Sequence, residues 1–277
     1  MSTRSVCGYA DPEQALDLGR AAVAELMTVV LTEWRGRGSL CESAIVLTWQ
    51  DLGPGAGWGL VDALGRPKAP LYAVRRVLAP TAVLISDEGL CGLRFHLLHD
   101  GPDPFVGRLG LRVLSDAGDV METAERQVEV EPHGALELLA DGLLGGFRDL
   151  NRAYRFGPLG HDVVGVELRD AAGRLVGEAC HLASGPARPR LPDLGLAARA
   201  APDGRGGWSL TVSTALFAQS SRSTCPASRR RTPGSTCSPA RPRRWRSNGP
   251  GPDRRPADSV RALNGHASAP IRVEDAA

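Results

Sequence analysis

The stretch Ala44–Pro80, AIVLTWQDLGPGAGWGLVDALGRPKAPLYAVRRVLAP, is where the reading of the fold is decided. It opens on a continuous apolar run, Ala44-Ile45-Val46-Leu47, which suits a strand buried on both faces, as in a parallel sheet. A glycine-rich loop follows, Gly53-Pro54-Gly55-Ala56-Gly57-Trp58-Gly59. Pro67 and Pro70 then introduce a helix from about Leu71 to Leu78, stopped before Pro80. Upstream, Asp11-Pro12-Glu13-Gln14 starts another helix: Asp11 can cap it, Pro12 fits its first position and Gln14 completes a capping box. Ala15, Leu18, Ala22, Leu26, Val29 and Val30 recur at helical spacing, which predicts one buried face, and Gly36 and Gly38 end the helix after Arg35. Helix, buried strand, loop and helix in that order are the grammar of an α/β fold.

Beyond Pro80 the period changes. Short alternating runs appear at Leu93–Leu97, Leu109–Val113, Val128–Val130, Val163–Val166 and Leu175-Val176. Turn residues separate them: Asp116-Ala117-Gly118, Pro132-His133-Gly134 and Ala172-Gly173. Regularly spaced short strands predict a β-sandwich. Pro186–Pro192 reads as a linker, and Trp208–Phe217 begins a further β module. The expected organisation is therefore residues 1–80, 81–188 and 189–277.

The 277 residues carry a formal charge of +2. That balance hides an asymmetry: residues 1–219 hold 21 Arg or Lys against 27 Asp or Glu, and residues 220–277 hold 12 against 4. Such a split raises the question of an anionic partner. Lys68 is the only lysine. The six cysteines, at positions 7, 41, 91, 180, 225 and 237, show no CxxC or disulfide-framework spacing. No apolar segment follows Met1-Ser2-Thr3-Arg4 as a secretory signal would require, and no apolar run reaches membrane-spanning length. Free thiols and a cytoplasmic location are the expectation, with no membrane partner.

The Ala44–Pro80 stretch resembles the end of the catalytic barrel in β-mannosidases of glycoside hydrolase family 2. Asp51, Pro54, Trp58, Asp62, Gly65, Arg66, Lys68, Tyr72, Arg75, Arg76, Ala79 and Pro80 match the family pattern as they stand. The chain departs from it at Leu47, where the family has a strand tryptophan; Trp49 stands two positions later. Gln50 replaces the first residue of an Asn-Asp pair. The resemblance implies the last helix–strand–helix of a TIM barrel over residues 1–80, an α/β barrel remnant with Ser43–Trp49 as its eighth strand. All-β immunoglobulin-like sandwich domains would follow over 81–188 and 189–277. Active sites of such barrels lie at the C-terminal ends of the strands. This places Trp49, Asp51 and Trp58 as candidate substrate-binding residues: the indoles as platforms for a sugar's C–H face, Asp51 as an acceptor for its hydroxyls. The implied partner is a β-mannoside oligosaccharide or glycan of the full-length relative. No cofactor is implied.

Retaining glycosidases use two carboxyls about 5–5.5 Å apart. The family supplies both as glutamates from the fourth and seventh barrel strands, upstream of Met1. Glu33, at a helix end, and Glu42, before the strand, do not replace them. The expectation is a fragment of a retaining exo-β-mannosidase that is inactive alone. The alternatives are a non-catalytic carbohydrate- or partner-binding sandwich, and nucleic-acid binding through the arginine-rich segment.

Other candidates carry less. His96 and His99 are an odd number of residues apart, so one strand points them to opposite faces, which argues against a metal site with Asp100. Cys180-His181 reads as core cysteine and strand end. Gly55–Gly59 lacks the Lys-Ser/Thr of a phosphate loop. Arg152-Ala153-Tyr154-Arg155-Phe156 mixes basic and aromatic residues as nucleic-acid surfaces do, but on an acidic module it reads as a contact element.

The segment SRSTCPASRRRTPGSTCSPARPRRWRS, Ser221–Ser247, stands where the family's last β module carries approximately Val-x-x-Asp-Val-Pro-Gly-Phe-x-Pro-x-Asp and then Phe-His-Leu-x-Pro-Gly. Back-translation from Arg222 with GC-rich codons, read from the third base, yields VDVPGFPPADAWFHLLPG. Residues 221–256 thus read as frame-shifted sequence, with the family register resuming near Ser259. No Val, Ile, Leu, Met, Phe or Tyr lies between Phe217 and Val260, so the segment cannot build a core and is expected to be disordered. Its arginines then carry no selected function, which argues against a nucleic-acid partner.

Overall fold

The computed structural model describes residues 12–115, 118–158, 160–185, 189–202, 208–223, 235–237, 243–247 and 259–274. Mostly β-structure with few helices, the chain divides into two units: Met1–Leu26, Val46–Ala73 and Pro189–Ala277 form one, Met27–Ile45 and Val74–Arg188 the other.

Helix α1 runs Pro12–Arg35. The expected cap, Asp11, lies outside the described residues. The face expected to be buried is not the buried one. Leu26 and Val29 are exposed, while Ala24, Leu31 and Thr32 are buried. The helix also exposes Leu16 and Val23, so apolar residues occupy more than one stripe and spacing alone cannot select the inner one. Helix α2 runs Ala69–Val77, with Pro70 in its first turn, and buries Tyr72, Ala73, Val74 and Val77.

The expected strand over Ser43–Trp49 is not formed. Ile45 is 93% and Leu47 80% exposed. A parallel-sheet strand needs neighbours on both edges for its N–H and C=O groups, and no described strand pairs with 43–49. The peptide Leu47–Thr48 is cis.

From Pro80 the expected sandwich is present. Strands β1 (Thr81–Asp87), β2 (Leu93–His99), β3 (Phe105–Leu114), β4 (Val120–Val130) and β5 (Gly134–Leu139) lead into a short helix α3 (Ala140–Leu144), followed by β6 (Val163–Asp170) and β7 (Leu175–Leu182). They form a three-stranded sheet in the order β1-β2-β5 and a four-stranded sheet in the order β4-β3-β6-β7, with every pairing antiparallel. Alternation sets the core. Leu109, Leu111 and Val113 on β3 and Val164, Val166 and Leu168 on β6 meet Phe95 and Leu97 on β2, all buried.

The last module contains β8 (Ala197–Pro202), β9 (Trp208–Ser213), β10 (Ala218–Ser223), β11 (Ser235–Cys237), β12 (Arg243–Ser247), β13 (Ser259–Arg261) and β14 (Ser268–Val273). They form one sheet in the order β11-β10-β13-β14-β8-β9-β12. Strand β14 pairs parallel with β8, Ile271 opposite Ala198, while β8 and β9 form an antiparallel hairpin. Leu194, Ala198, Ala200, Trp208, Val212, Val260 and Ile271 pack together. Asn264, buried, ties the module: its Oδ1 accepts from Gln219 N at 2.8 Å and its Nδ2 donates to Phe217 O at 2.8 Å. Within the segment expected to be disordered, 221–223, 235–237 and 243–247 are strand, and the remainder lies outside the described residues.

Candidate functional site

The loop from Trp49 to Lys68 is organised by short backbone links. Val61 N donates to Trp49 O at 3.0 Å, Asp51 N to Val61 O at 2.9 Å, and Lys68 N to Leu60 O at 2.9 Å. At the far end Asp62 closes a turn. Its Oδ1 accepts from the backbone N–H of Leu64 (2.9 Å) and Arg66 (2.8 Å), its Oδ2 accepts from Arg66 Nε at 2.6 Å, and Gly65 supplies the left-handed φ of 76°.

Asp51 sits at the centre. Oδ1 accepts from Gly59 N at 2.7 Å and Oδ2 from Lys68 Nζ at 2.9 Å, while Lys68 Nζ also donates to Gly57 O at 2.8 Å. The Lys68 ammonium first, and the Gly59 N–H second, hold the Asp51 carboxyl below the usual carboxylate range. The glycines are required by this packing. A Cβ at Gly57 would lie 2.3 Å from Asp51 Oδ1, and one at Gly59 would lie 2.7 Å from both Asp51 N and Oδ1. For Asp62, burial pushes the carboxyl up, and the Arg66 hydrogen bonds outweigh it and bring it down.

The three candidates thus differ in place. Asp51 is buried with both oxygens engaged inside the loop, whereas the Trp58 ring is 91% and Trp49 63% exposed. The carboxylate holds the loop, and the indoles stand out from it as open aromatic faces. Lys68, matched in the sequence but given no role there, is the partner that makes this possible; its being the only lysine is the one signal that could have singled it out.

The remaining sequence candidates resolve into local networks. His96 Nε2 lies 2.7 Å from Ser86 Oγ and its Nδ1 3.2 Å from Glu137 Oε1, with Arg94 also on Glu137 at 3.0 Å. His99 Nδ1 faces Thr81 Oγ1 at 2.9 Å and its Nε2 faces Asp103 O at 2.8 Å. Asp100 pairs with Arg35 at 2.8 Å. Among the described residues no three His, Cys, Asp or Glu side chains gather as metal ligands. Cys180 is half-buried, and burial depresses the neighbouring His181 below the usual imidazole range. Glu33 and Glu42 are exposed. No helix among the described residues is long and apolar enough to cross a membrane.

Comparison with known proteins finds similarity to β-mannosidases over part of their length. No protein-family model matches the chain. A β-mannosidase B of Aspergillus niger is 31% identical over 155 residues, covering 48% of the chain, and one of Neosartorya fischeri is 30% identical over 153 residues. The chain spans 18% of the length of either relative. The solved β-D-mannosidase of Dictyoglomus thermophilum superposes over 97% of the chain and 31% of its own length, with a TM-score of 0.74 at 12% identity. The exo-chitosanase of Amycolatopsis orientalis covers 93% of the chain with a TM-score of 0.62, also at 12% identity. At such identities the solved structures show a shared fold. The sequence relatives bear out the resemblance read from Ala44–Pro80.

Proposed function

We propose that this chain is the C-terminal portion of a retaining exo-β-mannosidase, acting on terminal β-D-mannosyl residues of an oligosaccharide or glycan. The observation that carries the reading is the 31% identity to a β-mannosidase B over 155 residues. On this reading residues 1–80 are the closing helix–strand–helix of a (β/α)8 barrel, followed by sandwich domains at 81–188 and 189–277. The exposure of Ile45 and Leu47 supports it, because the faces of an eighth barrel strand are covered by the other strands and helices of the barrel. Trp49 and Trp58 supply sugar-stacking faces, and Asp51, through Lys68 and Gly59, positions the loop that carries Trp58. The carboxylate pair of the retaining mechanism is contributed by preceding barrel strands, so the isolated 277-residue chain does not turn over substrate.

The purified chain is to be assayed on an aryl β-mannoside, alone and with a polypeptide supplying the preceding barrel. No turnover alone and turnover on mixing are expected; hydrolysis by the isolated chain at ordinary glycosidase rates would overturn the reading. Residues 221–256 are read as frame-shifted. Resequencing the coding DNA tests this, and an unbroken frame with the same arginine codons, together with salt-sensitive nucleic-acid binding, would defeat it.

A further inference from the structure

The connection between α3 and β6 displays three aromatic rings in mutual contact. Phe147 is 56%, Tyr154 39% and Phe156 80% exposed. Phe147 and Tyr154 meet edge to face with centroids 5.3 Å apart; Tyr154 and Phe156 stack at 5.8 Å and 21°. The cluster is held from below. Tyr154 OH donates to Leu90 O at 3.0 Å, Tyr154 N to the Asp149 carboxylate at 3.2 Å, and Asn151 Nδ2 to Gly89 O at 2.7 Å. Arg152 and Arg155, which bracket Tyr154, both adopt a left-handed φ of 56°, uncommon for a residue with a side chain. Such conformations concentrate where a loop is shaped for a task. A surface fixed before binding loses little ordering entropy when a ligand arrives.

Charge narrows the ligand. Residues 81–188 carry 10 arginines against 17 Asp and Glu. Arg94, Arg108, Arg148, Arg169 and Arg174 all have carboxylate partners. Arg112, Arg126, Arg152 and Arg155 have none among the described residues, and of these Arg152 and Arg155 lie in the loop that carries Tyr154 and Phe156. Two such guanidiniums in the same short loop as open aromatic faces suit a carboxylate joined to a flat apolar face, because the guanidinium fork matches carboxylate geometry and the rings cover C–H groups. We infer that this loop binds an acidic glycan: a pyranose ring of a uronate-bearing chain stacks on Phe156 and Phe147, and its carboxylate is read by Arg152 and Arg155. A nucleic acid, which like a polyuronate brings an anion at every unit, is the competing outcome of the test. The choice of a sugar over other carboxylates rests on the glycosidase reading. The loop's occupancy does not depend on hydrolysis.

The test is calorimetric titration of the full 277-residue chain with a mannuronate hexamer, neutral mannohexaose and single-stranded oligo(dT). Saturable binding of the uronate is expected, tighter than the neutral sugar. Phe156→Ala should weaken it roughly two- to tenfold, the range of one aromatic contact. Arg155→Gln should weaken it similarly and flatten its salt dependence. Arg126→Gln, on exposed β4, should leave it unchanged. The inference is overturned if the uronate does not bind, if Phe156→Ala and Arg155→Gln bind it like the parent, or if oligo(dT) binds more tightly. Because no turnover is read, failure here leaves the β-mannosidase proposal standing, and failure of barrel complementation leaves this one standing.

Discussion

Replacing Gly107 by alanine should destabilise the sandwich, and replacing Gly165 should not, although both glycines lie in the same four-stranded sheet. A Cβ at Gly107 would stand 2.2 Å from the carbonyl oxygen of Arg169 and 2.8 Å from the Phe105 ring, whereas one at Gly165 meets nothing within 4 Å. Non-bonded heavy atoms are comfortable at about 3.5–4.0 Å. The Arg169 carbonyl belongs to β6, which pairs residue by residue with β3, so the overlap is relieved only by parting the two strands. Overpacking of this kind costs roughly 1–3 kcal/mol. At Gly165 the open space lets alanine restrict the unfolded chain, a gain of about 0.4–1 kcal/mol. A difference of roughly 1.4–4 kcal/mol follows between the variants. With a urea slope of about 2 kcal/mol per molar, their midpoints separate by about 0.7–2 M. No tryptophan lies within residues 81–188, so far-UV circular dichroism is the readout. A Gly107→Ala midpoint equal to or above that of Gly165→Ala would refute the close approach of β3 and β6.

Three further outcomes are expected. Because the Asp51 carboxyl is held below its ordinary range, the Lys68 clamp is intact at neutral pH and is lost only as the pH falls through that lowered value; Asp51→Asn should open the Trp58 loop at all pH values, read as the fluorescence difference from a Trp58→Phe background. Asn264→Ala removes the buried hydrogen bonds from Gln219 N–H and to Phe217 C=O and should cost about 1–3 kcal/mol, measured by urea denaturation followed by indole fluorescence; a cost below 0.5 kcal/mol would contradict the pairing. His181, kept neutral by burial, binds its proton more readily in the unfolded chain. The sandwich should therefore lose stability as the pH falls below the ordinary imidazole range, and His181→Gln should lose less over the same interval.

The sandwich was legible because each strand buries one face, which prints alternation into the sequence; Leu109, Leu111 and Val113 on β3 are the plainest case. The apolar run at 43–49 forms no strand for a complementary reason. A run apolar on both faces signals only that it seeks cover, and whether cover exists depends on other strands. The buried face of α1 escaped because the helix is apolar on several sides. In the loop, the sequence pointed to Trp49, Asp51 and Trp58, but it could not show that Asp51 spends both oxygens on Gly59 and on a lysine 17 residues away. Side-chain pairs separated by a folded loop leave no period to detect. The same holds for β8 and β14, whose partnership spans the length of the last module.

That β8–β14 partnership has a consequence for synthesis. The β8–β9 hairpin, complete at Ser213, leaves the ribosome about 55–60 residues before β14, the strand that must lie beside β8. At about 5–20 residues per second, the edge waits on the order of 3–12 s with its ladder groups open. An open edge is a template for pairing with any extended chain nearby. The nascent module therefore has a defined window of vulnerability, in which translation speed and chaperone occupancy govern how much of it reaches the native sheet.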